Sequence, residues 1–137
     1  MKQSLSFLAV AVATAVACSD AFKPTTENVL GDYSARIFTT TDTGGTKDWI
    51  QRGGTLTLSL GPFGVTTGRL FLPGAAAGGG DVDQLLLGDW SLSGSTITFS
   101  MPAVDTFVRD MPWSVAENTL SGEHTFGVTR VKVVLRK

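Results

Sequence analysis

The feature that most constrains the fold is a two-residue alternation of apolar and polar side chains, which recurs from residue 31 onward. Residues 55–60 alternate strictly and place three leucines on one face, and residues 95–101 do the same with Ile97 and Phe99. A period of two is typical of strands that bury one face. No long stretch shows the spacing of an amphipathic helix, so the pattern predicts an all-β domain.

Short clusters of Gly, Pro, Ser and Asn separate the alternating segments at hairpin-length intervals. The expected strands cover residues 32–40, 54–60, 65–72, 84–92, 95–101, 106–115, 119–126 and 128–136. We predict a small antiparallel up-and-down β-barrel of about eight strands, because closure removes unpaired edges. An open β-sandwich is the alternative that periodicity leaves open.

The N-terminal segment has the pattern of an export signal. Lys2 is followed by an uncharged apolar run over residues 5–17, which is shorter than the ~20 residues that a membrane-spanning helix needs. The small residues Ala15, Val16 and Ala17 end this run. We therefore predict that residues 1–17 are a signal peptide.

Cys18 follows directly and is the only cysteine of the chain. Residues 15–18 resemble the lipobox of bacterial lipoproteins, whose cysteine receives a diacylglycerol. The resemblance implies a lipid anchor at Cys18, and Ser19 implies sorting to the outer membrane, facing the periplasm or the surface. A periplasmic or secreted protein without lipid is the alternative. Residues 18–28 would then be a tether, and residues 29–137 the barrel domain.

Composition and motifs exclude several classes of site. One cysteine forms neither an internal disulfide nor a multi-cysteine zinc site, and a single histidine, His124, forms no histidine cluster. No serine elbow, EF-hand loop or phosphate loop occurs, so we expect no metal, no cofactor, no catalytic residue and no enzymatic activity. Without Lys2, ten of the 11 basic residues remain against 12 acidic ones, and this net charge near −2 argues against nucleic acid as a partner.

A short motif is repeated: residues 30–34 (LGDYS) recur as residues 87–91 (LGDWS). A Gly-x-aromatic strand start followed by a glycine-turn hairpin resembles the bacterial lipocalin-like domain families, which are short β-barrels often carried by exported lipoproteins. The similar stretches are residues 31–33, 53–72, 87–101 and the last strand. The resemblance implies that Tyr33 packs across the closed end of the barrel near Arg136, with Arg130 as the alternative.

Arg109 is the main candidate for a ligand contact. In a strand over residues 106–115 it shares a face with Phe107 and Trp113, so an inward face would place a guanidinium in an apolar barrel. Such a charge needs a carboxylate, supplied by the protein or by a small apolar, fatty-acid-like ligand. The candidate carboxylates of the protein are Asp32, Asp105 and Asp110. An internal ion pair or an outward-facing side chain is the alternative.

Aromatic side chains complete the predicted ligand site. They are Trp90, Phe99, Phe107 and Trp113. The leading prediction is an exported lipoprotein whose barrel binds a small ligand or an interaction partner. The alternative is a structural or assembly lipoprotein of the cell envelope with a filled barrel and no ligand. A cavity of a few hundred Å³ would favour the first function, and a solid interior the second.

Overall fold

A computed structural model describes residues 21–137; the predicted signal peptide and Cys18 lie outside the described residues. Ten strands form one antiparallel sheet, accompanied by two helical turns, α1 (Thr26–Val29) and α2 (Phe107–Asp110), and a 3-10 turn at Pro62–Gly64. The strands are β1 (Gly31–Asp42), β2 (Gly45–Asp48), β3 (Thr55–Leu60), β4 (Val65–Leu72), β5 (Val82–Leu85), β6 (Gly88–Ser93), β7 (Thr96–Ser100), β8 (Trp113–Ala116), β9 (Thr119–Phe126) and β10 (Thr129–Arg136).

Eight of the strands form a closed wall. They follow one another in the order β1, β3, β4, β6, β7, β8, β9 and β10, each antiparallel to the next. The wall closes because β10 pairs with β1, from Ser34↔Arg136 to Thr41↔Arg130. The predicted up-and-down barrel is thus confirmed, and the open sandwich is excluded. The two further strands are additions: β2 folds back on β1, and β5 pairs with β4.

Two predicted strands need correction. The strand expected over residues 84–92 is interrupted at Leu86 and Leu87, although β5 and β6 continue one register along β4. The strand expected over residues 106–115 is wrong in its first half, where the chain forms α2. The side chain of Thr106 caps this turn by accepting a hydrogen bond from the Val108 amide at 3.3 Å, which a strand would not provide.

The barrel has two distinct ends. At the entry end, where β1 begins, Gly31 pairs with Leu60, so the chain enters beside the β3–β4 turn of residues 61–64. The far end carries the β1–β2 turn, the β9–β10 turn and the segment that contains α2. These positions follow from the up-and-down order, because successive turns alternate between the two ends.

The interior is filled with the apolar side chains that the alternation predicts. Inward-facing residues include Leu56, Leu58, Leu60, Leu70, Ile97, Leu120, Val133 and Leu135, all buried. The neighbouring outward positions carry mostly hydroxyl and charged groups. Among the described residues, every buried side-chain nitrogen or oxygen has a hydrogen-bond partner. The barrel is therefore stabilised by a packed apolar core.

Candidate functional site

Three of the four predicted ligand-binding aromatics are buried inside the barrel. Trp90, Phe99 and Trp113 are buried, and the rings of Phe99 and Trp113 meet edge to face with 6.2 Å between their centroids. The half-buried Phe107 lies 5.6 Å from Phe38, measured between ring centroids. These contacts use the ring faces and edges that a ligand would otherwise meet.

Trp113 also has its polar atom satisfied within the protein. Its side chain is completely buried, and Nε1 donates a hydrogen bond to the Val108 carbonyl at 2.9 Å. This bond ties α2 to the start of β8. Trp113 is therefore both a core residue and the connection between the wall and the helical turn.

Arg109 lies on α2 and not on a strand, so the expected shared face with Phe107 and Trp113 does not form. Its Nε and Nη2 atoms donate to the two carboxylate oxygens of Asp110 at 2.8 and 2.9 Å. Nη2 also donates to Asp105 at 3.1 Å, and Nη1 donates to the Val104 carbonyl at 3.1 Å. The guanidinium thus pairs with carboxylates of its own loop, at a side chain that is 32% exposed.

The ion pair shifts the pKa values of both Arg109 and Asp110. The hydrogen bonds and positive charge of Arg109 hold the pKa of the Asp110 carboxyl below its ordinary value. The same contacts raise the pKa of Arg109. The third carboxylate considered, Asp32, instead accepts a hydrogen bond from Ser59 at 2.6 Å on the outer wall. Arg109 is therefore an ion-paired group of the α2 loop.

The segment around α2 packs where the wall has few backbone hydrogen bonds, between β7 and β8. We call this junction of β7 and β8 the seam. Strands β7 and β8 pair at only two positions, Thr96↔Ser114 and Ile97↔Trp113. Below that pairing α2 packs against β7, with Val108 completely buried. Side-chain packing thus replaces the missing ladder of backbone hydrogen bonds at the seam.

The repeated motif closes the entry end of the barrel. Its two aromatics, Tyr33 and Trp90, turn inward and are buried. The Tyr33 hydroxyl donates to the Val29 carbonyl at 2.7 Å, and Trp90 Nε1 donates to the Gly61 carbonyl at 2.9 Å. Each copy of the motif therefore ties one strand start to a backbone segment that crosses this end. Burial raises the pKa of the Tyr33 hydroxyl above its ordinary value.

The basic side chain beside Tyr33 belongs to Lys137 and not to Arg136. Lys137 Nζ lies 5.6 Å from the centre of the Tyr33 ring and donates to the carbonyls of Asn28 and Leu30 at 2.7 and 2.9 Å. Arg136 is exposed because side chains alternate along β10 and Leu135 takes the inward position. Sequence reasoning missed Lys137, since the alternation of the last strand stops one residue earlier.

Surface depressions lie on the outer wall. One of about 280 Å³ is bordered by Pro112, Ser114, Ser121 and Lys132 among others. Another of about 220 Å³ is bordered by Ser34, Thr57, Ser59 and Thr67 among others. Both are open to solvent, and half of the residues that border the second carry hydroxyl groups on the outer face. A third depression, of about 250 Å³, is bordered by Trp90 and Phe99 together with outward-facing residues such as Asp89 and Thr98, and it too is open to solvent.

The remaining chemical candidates give no assembled site. His124 is exposed on β9, with its ring 4.7 Å from that of Phe126 in an edge-to-face contact. Within residues 21–137, no group of three or more His, Cys, Asp and Glu side chains is placed to hold a metal ion. In the same range, no helix has the length and apolar character needed to cross a membrane.

Comparison with known proteins returns no significant match, neither to a protein family, nor to a curated protein, nor to a solved structure. The resemblance to lipocalin-like lipoproteins stays a prediction from the sequence. Functional inference therefore depends on the residues and on the geometry described above.

Proposed function

We propose that this chain is an exported lipoprotein, anchored through Cys18, whose barrel is a structural or assembly module of the cell envelope and not a ligand carrier. The observation that carries the second part is the packed interior, in which Trp90, Phe99 and Trp113 occupy the space where a ligand would bind. A carrier of this fold needs a cavity that matches its ligand.

The position of Arg109 supports the same proposal. Its guanidinium already makes two short hydrogen bonds to Asp110 and a third to Asp105. A ligand carboxylate would have to displace Asp110, which gives the same bidentate geometry at no cost in association entropy. An acidic ligand therefore gains little from this group.

The lipid anchor is supported by the sequence alone. The small residues at positions 15–17 precede Cys18, the only cysteine, and Ser19 follows it. We propose the outer membrane as the location, because the residue after Cys18 is Ser19 and not the aspartate that keeps other lipoproteins of Gram-negative bacteria out of the outer membrane.

Native mass spectrometry of the full chain expressed in a Gram-negative host tests both parts. We expect the mass of the polypeptide from Cys18 onward plus its acyl groups, with no second bound molecule. A Cys18→Ser variant should lack the acyl mass. A fatty acid bound in addition would contradict the filled barrel, whereas an unmodified Cys18 would contradict the anchor.

A second measurement guards against loss of a weakly bound ligand. All three tryptophans are buried, so their fluorescence responds to any molecule that enters the interior. We expect no change when a long-chain fatty acid is titrated into the protein. Saturable quenching would support the carrier function instead.

A further inference from the structure

The β3–β4 turn at the entry end presents an aromatic side chain to solvent. Phe63 is 99% exposed, and its φ of 59° lies in the left-handed region that side chains with a Cβ rarely adopt. The backbone therefore holds this ring in a conformation that local preference does not favour and that gives it no contact with the core. Strained exposed residues of this kind point to a role in binding.

The turn holds Phe63 in a fixed position. Trp90 Nε1 donates to the Gly61 carbonyl at 2.9 Å, and the Gly61 amide donates to the Val65 carbonyl at 2.8 Å. Gly64 completes the turn with a φ of 75°. The ring is thus carried by a hydrogen-bonded turn that is tied to the buried Trp90.

Two further apolar side chains lie beside this turn on the outer wall. Val65 is 50% exposed and Leu87 is 52% exposed. They are diagonal neighbours across β4 and the chain that leads into β6, because Val65 pairs with Asp89. We call Phe63, Val65 and Leu87 the apolar rim.

The chain leading to the barrel is fixed at the same end. Phe22 packs against the core, the Asn28 amide group donates to the Lys23 carbonyl at 2.9 Å, and Lys137 holds the Asn28 carbonyl. Four chain steps separate Cys18 from Phe22, which is at most roughly 14 Å of extended backbone. A lipid on Cys18 therefore cannot lie far from the entry end.

We propose that the entry end rests on the lipid bilayer and that the apolar rim enters its interfacial layer. This inference depends on the proposed anchor at Cys18. The short connection brings the rim to the membrane surface, where burial of an exposed aromatic and two aliphatic side chains is favourable. The anchor then fixes the orientation of the barrel, with the far end pointing away from the bilayer.

The test uses two single-cysteine substitutions in the full, processed protein. Phe63→Cys places a thiol on the apolar rim, and Val128→Cys is the matched control, an apolar residue 75% exposed in the β9–β10 turn at the far end. A polarity-sensitive fluorophore is attached to each thiol, and the proteins are reconstituted into phosphatidylcholine vesicles that contain nitroxide-labelled lipid.

We expect one fluorophore per chain, because the lipid occupies the thiol of Cys18. The label at position 63 should shift its emission to shorter wavelength and be quenched several-fold more strongly than the label at position 128. Equal, weak quenching at both positions would overturn the inference while leaving the anchor intact. The same result is expected if the apolar rim contacts a protein partner instead of lipid. Two fluorophores per chain would show a free Cys18 and would withdraw the anchor together with this inference.

Discussion

Replacement of Trp113 by alanine tests whether the barrel interior is packed as described. The indole is completely buried, so its removal leaves a cavity that the surrounding strands cannot fully close. Loss of a buried large aromatic costs about 3–5 kcal/mol. The Val108 carbonyl also loses the hydrogen bond from Nε1 at 2.9 Å, which adds about 1–3 kcal/mol if no water replaces it.

The expected loss for Trp113→Ala is therefore about 5 kcal/mol, a large part of the total stability of a domain of this size. Trp113→Phe is the smaller change, since it keeps a six-membered ring near Phe99 and removes the donor together with the five-membered ring of the indole. We expect it to cost about 2 kcal/mol. Both variants lose the hydrogen bond, so the difference between them measures the packing contribution of the six-membered ring.

Urea unfolding, followed by circular dichroism, gives both values. With a slope of about 2 kcal/mol per molar urea, Trp113→Ala should lower the midpoint by about 2.5 M. Added indole should recover part of this loss by filling the cavity. A loss below about 1 kcal/mol for Trp113→Ala would refute the reasoning, because it would mean that the interior is loose or hollow around this ring.

Three further predictions concern the loop, the wall and the entry end. Arg109→Met should lower the free energy of unfolding slightly at neutral pH. The difference between this variant and wild type should shrink as the pH falls below 3.8, because the lowered pKa of Asp110 stabilises the folded state only while that carboxyl is ionised. A gain in stability would contradict this. Gly88→Ala should destabilise the barrel strongly in thermal melts, since a Cβ there would lie 2.0 Å from a backbone oxygen of β7, whereas the control Gly80→Ala meets only an ordinary contact at 3.9 Å. Tyr33→Phe should cost about 1–2 kcal/mol because the Val29 carbonyl loses its hydrogen bond. It should also reduce the loss of stability expected as the pH rises past 10.0, the ordinary tyrosine pKa, because burial raises the pKa of Tyr33 only in the folded state. Equal alkaline profiles of the variant and wild type would argue against the buried hydroxyl.

The architecture was predictable wherever one face of a strand is buried. β3 and β7 alternate strictly, and each follows a glycine-containing turn. Their inward leucine, isoleucine and phenylalanine side chains are the ones that the pattern selects. Short loops between consecutive strands then leave few topologies other than a meander. Closure by β10 and β1 follows from the same preference, because it removes both edges.

The α2 segment was not predictable in this way. The side chains of residues 107–113 alternate as in a strand. The cap from Thr106 and the proline at position 112 nevertheless favour a short helical turn between them. Asp105 and Asp110 could be named as partners of Arg109 because they are close in sequence, but its orientation depends on that turn.

The apolar rim was also beyond sequence reasoning. The exposure of Phe63 depends on how the β3–β4 turn projects from the wall. From the sequence alone, a phenylalanine is equally expected in the core. Lys137 was not predicted either. It follows the last alternating residue of β10, and its contacts with Tyr33 and Asn28 join residues that are far apart in the sequence.

We expect this barrel to open first at the seam. β4 and β6 also pair at only two positions, but β4 is held by four further pairs to β5. β1 and β10 are bonded over seven register positions, while β7 and β8 share two, so amide hydrogens of the α2 segment should exchange with solvent well before those of β1. A longer connection between β7 and β8 would widen the seam without breaking any long ladder. The seam is therefore the part of the wall where an opening to the interior would evolve with the least loss of strand pairing.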